Sequence, residues 1–237
     1  MEFKVALDTA LRLNNIPFDE ARLSQAVRFT EKMVQINQSM NLTAITEPEA
    51  MAEKHWLDSL AMGRVSFDEN ESVLDVGSGA GFPGIPLTVF FPEARFTLLD
   101  SLQKRLNFIK EATEYADIPT PTLLHARAEE AGRNKDCREQ YDTVLSRAVA
   151  NLTALCEYCL PFVKVGGRMI AYKGPGAAEE LSAALGAIAK LGGKWEKTDT
   201  FCLPGGEERN LIFITKLSPC APCYPRNSKA IKNKPLK

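Results

Sequence analysis

The chain has 237 residues, 45% of them hydrophobic and 25% charged, with a formal net charge of −1. That length suits one large core or one domain with an added cap. The near-neutral charge argues against unaided nucleic-acid binding by the surface as a whole, and every apolar run is broken well before the length that spans a bilayer.

The first 65 residues read as helical, with Phe3, Leu7, Ala10 and Leu11 on one face. Asp19 is a candidate N-cap for a second helix. There Leu23, Val27, Thr30 and Val34 repeat at helical spacing, and Ala26, Phe29, Met33 and Ile36 widen the face. Asn37–Thr43 ends it, and a third helix is expected over Glu49–Met62, with Trp56, Leu57, Leu60 and Ala61 inward. No Pro/Gly-rich linker follows. Residues 1–70 are therefore expected to cap the part after them.

From Ser72 onward strands and helices alternate. Strands are expected at Ser72–Val76, at Arg95–Leu99 ending on Asp100, and at Thr122–His125, Tyr141–Ser146 and Arg168–Tyr172. Helices are expected over Ile85–Phe91, with Pro86 in the first turn where proline is tolerated, over Ser101–Ala116 capped by Ser101, from after Ser146 to about Phe162, and over Ala177–Leu191. In the second of these Leu102, Leu106, Ile109 and Ala116 point inward; Val165-Gly-Gly167 reads as a turn. Two last strands, Lys194–Phe201 and Arg209–Leu217, flank Pro204-Gly205-Gly206 and read as a hairpin. The predicted fold is α/β: a Rossmann-like, doubly wound, mainly parallel sheet over residues 71–217, closed by an antiparallel hairpin. Ligands in such sheets sit beyond the carboxyl ends of the strands. Gly77–Gly81, Asp100, Ala126–Glu129, Ser146-Arg147 and Lys173 are therefore expected to converge.

The first strand runs into Val73-Leu-Asp-Val-Gly-Ser-Gly-Ala-Gly-Phe-Pro-Gly84. No Gly-Lys-Ser/Thr follows, so this is not a Walker loop. Gly79-Ala-Gly81-Phe-Pro-Gly84 fits the dinucleotide pattern Gly-x-Gly-x-x-Gly, and Gly77-Ser-Gly79-Ala-Gly81 fits Gly-x-Gly-x-Gly. Register favours the second, because the strand enters the turn at Gly77. The first would also put Pro83, which has no N–H to donate, among the groups facing a pyrophosphate. S-adenosylmethionine has no pyrophosphate and needs close backbone approach, which glycine allows. Asp100 could bind ribose hydroxyls, in S-adenosylmethionine or in NAD alike.

The loop through Pro86 resembles that of the RsmG (GidB) family of 16S ribosomal RNA methyltransferases. Asn41-Leu-Thr43, His55-Trp-Leu-Asp-Ser-Leu60, Ala126-Arg-Ala-Glu-Glu130, Ser146-Arg-Ala148, Lys173-Gly174 and Tyr224-Pro-Arg226 agree in order and spacing. The resemblance implies a class I methyltransferase with an N-terminal helical cap. It implies transfer of methyl from S-adenosylmethionine to guanine N7 in 16S ribosomal RNA of the small ribosomal subunit. It also implies cofactor contacts at Gly77, Phe82, Ala128, Glu129 and Arg147; Gly79 and Asp100 complete the expected set. Arg147 could instead meet an RNA phosphate, and Lys173 and Arg226 are candidates for that role. His55 reads as a structural histidine. Guanine N7 has no proton to lose, so no general acid or base is named.

Residues 218–237 read as a basic tail; from 224 on they hold five basic and no acidic side chains. The tail departs from the family pattern, with Asn227-Ser-Lys-Ala where the family has Lys and then Gly-x-Pro, and with Cys220-Ala-Pro-Cys223 before it. Cys220–Cys223 and Cys156–Cys159 are about 60 residues apart, too far for a zinc finger or ribbon. Cys156 and Cys159 are expected as small apolar residues on one helix face, and no metal is expected. The start lacks a basic, then apolar, leader pattern, so a cytoplasmic location is expected.

Overall fold

The computed structural model describes residues 2–237. Its seven strands are β1 (Ser72–Val76), β2 (Arg95–Asp100), β3 (Thr122–His125), β4 (Tyr141–Arg147), β5 (Val163–Lys173), β6 (Gly193–Cys202) and β7 (Glu208–Lys216). They form one sheet in the order β3-β2-β1-β4-β5-β7-β6. The first five are parallel; β7 runs antiparallel between β5 and β6. The predicted parallel sheet with a closing hairpin is what forms. Val165-Gly-Gly167 is not a turn between elements: β5 runs through it, with its register against β4 shifting there.

Alternation along the strands divides the interior in two. Val73, Leu145, Ile170, Leu211 and Phe213 join the core under the cap, while Leu74, Val144, Met169, Ala171, Ile212 and Ile214 join the core on the opposite face. Both faces are covered, as parallel strands require. The cap face carries α1 (Glu2–Leu13), α2 (Glu20–Met40) and the segment from α3 (Pro48–Met51) onward, with α4 (Gly84–Phe90) and α5 (Gln103–Tyr115). Asp19 caps α2, accepting from the Arg22 N–H at 2.8 Å. The buried stripe of α2 is Leu23, Ala26, Phe29, Thr30 and Met33; Val34 is exposed. The third helix is not uniform, since Ala52–Leu57 winds as a π-helix and Ala61–Gly63 as a 3₁₀ turn. Single π turns recur where a helix serves a site, and this one carries His55, Trp56 and Leu57 inward.

The opposite face carries α6 (Ala128–Ala131), α7 (Leu152–Cys159), α8 (Ala177–Lys190) and α9 (Ser228–Asn233). Cys156 and Cys159 are fully buried in α7, packed as apolar residues. Ser101 does not cap α5. The Asp100 carboxylate takes the Leu102 N–H instead, and Leu102 turns out to solvent.

Candidate active site

Parallel register brings the strand ends to one level: Val76 lies beside Leu99 and Asp100 beside His125. A cleft of about 530 Å³ opens beyond them, within the roughly 300–1,000 Å³ of small-molecule sites. Gly77, Asp100, Ala128 and Glu129 line it, so four of the residues expected at the cofactor stand on one wall system. Gly79 sits on the same loop and donates its N–H to Asp100 Oδ2 at 3.0 Å.

Backbone shape explains the glycines. Gly77 and Gly79 have φ of +78° and +59°, values that L side chains rarely adopt. A Cβ on Gly77 would lie 2.5 Å from Val149 Cγ2, so only glycine lets the loop close against the segment after β4. A Cβ on Gly79 would meet nothing nearer than the Gly77 carbonyl oxygen at 4.0 Å, so this residue borders open space. Asp100 holds the loop. Its Oδ1 accepts from the Leu102 N–H at 2.8 Å and its Oδ2 also takes Arg105 Nη1 at 3.3 Å. A carboxylate has about four acceptor positions, which leaves capacity for a hydroxyl. Open approach at Gly79 and a buried acceptor at Asp100 fit S-adenosylmethionine.

Phe82 and Arg147 are not brought to the cleft. Asp75 follows Val73, and Arg147 follows Leu145, at the two-residue repeat of a strand, so both face the cap. Phe82, 6% exposed, stacks on His55 with ring centroids 4.6 Å apart and packs edge-on to Phe29 and Trp56. The Arg147 guanidinium lies 5.6 Å from the Phe82 ring centre and donates to the Lys54 carbonyl and to Asp58 Oδ2, each at 3.0 Å. Asp58 Oδ1 accepts from Arg209 Nε at 3.2 Å, so one buried carboxylate ties two arginines. His55 Nε2 pairs with Thr43 Oγ1 at 2.9 Å, and its Nδ1 has no partner. Burial and then the Arg147 charge hold His55 down to about 4, so the ring is neutral near pH 7. Asp75 is fully buried; Oδ2 accepts from the Gly84 N–H at 3.0 Å and Oδ1 is unpaired. Burial pushes its carboxyl up to about 7, against the pull of the Gly84 N–H and Arg147.

The two residues expected at RNA are engaged within the protein. Lys173 Nζ donates to the Ala150 carbonyl and pairs with Glu180, each at 2.7 Å. Arg226 forms a two-pronged pair with buried Glu157, at 2.8 and 2.7 Å. Sequence reasoning missed Arg105 and the tail residues Ser228, Ile231 and Lys232, which line the cleft, and Asp58, which ties Arg147 and Arg209 behind it. Asp58 lay inside the quoted His55–Leu60 motif, and a polar residue on the inward face of a helix was its available signal. Ile231 had no local signal beyond being the single β-branched residue within a run of lysines.

The fold and this cleft define a class I methyltransferase, whose methyl donor is S-adenosylmethionine. The family model for rRNA small subunit methyltransferase G matches residues 22–212, and the chain belongs to that family. Proteins called ribosomal RNA small subunit methyltransferase G are similar over nearly the whole chain. One from an Exiguobacterium species is 44% identical over 96% of each chain, and one from Alkaliphilus metalliredigens is 42% identical over 100% of each. Among solved structures, TrmN from Thermus thermophilus matches with a TM-score of 0.54 at 19% identity, covering 82% of this chain and 53% of that one. M. jannaschii TYW2 in complex with AdoMet matches at 0.52 and 16%, covering 68% and 75%. These two likenesses are of fold.

Proposed function

We propose that this chain transfers the methyl group of S-adenosylmethionine to N7 of a guanosine in 16S ribosomal RNA of the small subunit, in the cytoplasm. The observation that carries the reading is the family match over residues 22–212. In this reading residues 1–70 are the cap, 71–217 the methyltransferase domain and 218–237 the tail.

Bound S-adenosylmethionine supplies a methyl group already activated on a sulfonium. Guanine N7 offers an in-plane lone pair and loses no proton, so the protein's task is placement rather than proton transfer. Gly77, Gly79, Asp100, Ala128 and Glu129 hold the donor. Phe82 and Arg147 brace the loop from behind, because Arg147 is already spent on Asp58 and the Lys54 carbonyl. Lys173 fixes the turn after β4 through the Ala150 carbonyl, and that turn edges the cleft. RNA phosphates are left to exposed lysines such as Lys229 and Lys234, which enter none of the ion pairs among the described residues.

The test is transfer of labelled methyl to assembled small subunits and, separately, to naked 16S RNA, followed by nucleoside analysis. Label in 7-methylguanosine is expected. Label in another nucleoside overturns the N7 assignment, and no label in either RNA overturns the substrate.

A further inference from the structure

We infer that the tail helix α9 is part of the S-adenosylmethionine site, with Ile231 seating it against α7. The tail is basic and terminal, features that ordinarily mark a solvated, frayed end. Here Ile231 is fully buried, in the core that holds Ala154 and Tyr158 of α7. Ile231, Ala154 and Tyr158 line one cleft, the same one that Gly77 and Asp100 line. From Asp100 onward the cleft is polar, with Asp100, Ser101 and Arg105; the side given by α7 and α9 carries the apolar Ala154, Tyr158 and Ile231 together with the polar Ser228 and Lys232. S-adenosylmethionine has the same division, a charged amino acid and polar ribose on one side and a flat purine on the other. A purine ring is buried best against apolar side chains; Ala154 and Tyr158 offer them, and Ile231 seats α9 beside these two.

A second set of contacts shows that α9 is held in place rather than laid on the surface. Glu157 of α7 is 1% exposed, and a lone carboxylate there would be costly. Its partners all come from the tail: the Arg226 backbone N–H at 2.8 Å and the Arg226 side chain through Nε and Nη2. Arg138 donates to the carbonyls of Cys220 and Tyr224 at 2.6 and 2.7 Å, and Arg133 to that of Pro225 at 2.8 Å. Asn227 then caps α9, accepting from the Ala230 N–H at 2.9 Å. Buried pairs of this kind set register better than they add stability. The register they set here puts Ile231 at the cleft, so Glu157 and Arg226 are positioning residues.

Tail docking and cofactor binding are therefore linked, and each strengthens the other by the same factor. The experiment uses the full chain without RNA, so phosphate contacts by the tail do not enter. Titration calorimetry with S-adenosylmethionine should give a Kd about tenfold weaker for Ile231→Ala than for the natural chain, because the truncation unseats α9 and coupling between two sites has effects of this size. Lys194→Gln, at an exposed lysine of the edge strand β6, should leave that Kd unchanged. In the natural chain, saturating S-adenosylmethionine should slow hydrogen exchange of the amides of 228–234 by about threefold or more; this holds the proposal open to test even if Ile231→Ala folds poorly. A natural Kd in Ile231→Ala, or tail exchange indifferent to the cofactor, overturns it.

Discussion

Gly77 lines an open cleft and Gly79 borders open space, while Phe82 and Gly84, a few residues later in the same loop, are buried under the cap. The first half works through absence. Missing side chains permit positive φ and leave space for a ligand. The second half works through filling: Phe82 is held between His55, Trp56, Phe29 and the Arg147 guanidinium. One loop thus presents backbone to the cleft while its other side is packed, and substitutions on the two sides should fail in different ways.

The largest effect is expected on the packed side. Asp58→Ala leaves Arg147 and Arg209 without their shared carboxylate in a mostly buried setting, and should cost about 3–5 kcal/mol of unfolding free energy. Denaturant titration checks this. A loss near zero would mean that the cap does not brace the loop.

Titration tests the packed side next. His55 sits at about 4 in the fold against an ordinary 6.5. The unfolded chain then holds that proton more tightly, and His55 removes stability as pH falls from 6.5 to 4. Asp75 sits at about 7 against 3.8. The folded chain holds its proton more tightly, and stability is lost as pH rises from 3.8 to 7. The two slopes oppose one another in the natural chain. His55→Gln should uncover the Asp75 slope, a loss on the order of 3 kcal/mol between pH 4 and 7, and Asp75→Asn should uncover the opposite one. Unfolding free energies over this pH range decide it, and slopes of the same sign in both variants would break the assignment.

On the cleft side the glycines should differ from each other. Gly77→Ala drives a Cβ to 2.5 Å from Val149 at φ +78°, and should cost about 2–4 kcal/mol through strain and overpacking. Gly79→Ala meets no close atom, and should cost about 1 kcal/mol of stability while weakening S-adenosylmethionine more than it destabilises the fold. Thermal unfolding beside calorimetry compares the two losses; equal ratios would mean that Gly79 does not border the cofactor.

The smallest effect concerns the rim. Lys229→Gln with Lys234→Gln should reduce the slope of log K for 16S RNA against log salt by about 1–2. Filter binding over a salt series measures it, and an unchanged slope assigns phosphate contact elsewhere.

Much of this molecule was legible along the chain. The alternation of strand and helix from Ser72, the hairpin around Pro204-Gly205-Gly206 and the Asp19 cap follow from local spacing and turn chemistry, and each appears in the fold. Gly77, Asp100, Ala128 and Glu129 reach one cleft because parallel strands must end together. The directions of Phe82 and Arg147 were not legible. Both faces of this sheet are covered, so the strands read as continuous apolar runs and hydrophobicity does not tell which side a residue at the strand end will take. The π turn at Ala52–Leu57 was hidden for a related reason, since one extra residue in a turn leaves the apolar pattern nearly intact.

The amino-acid sequence by itself determined the order of the seven strands, the glycine loop and the acid that serves it, because propensity, period and glycine chemistry act over a few residues. Only the tertiary structure decided which loop residues face the cleft and which face the cap, and that Glu157 claims Arg226 from 69 positions away. Charge pairing and face selection depend on what packs opposite, and no local pattern carries that information.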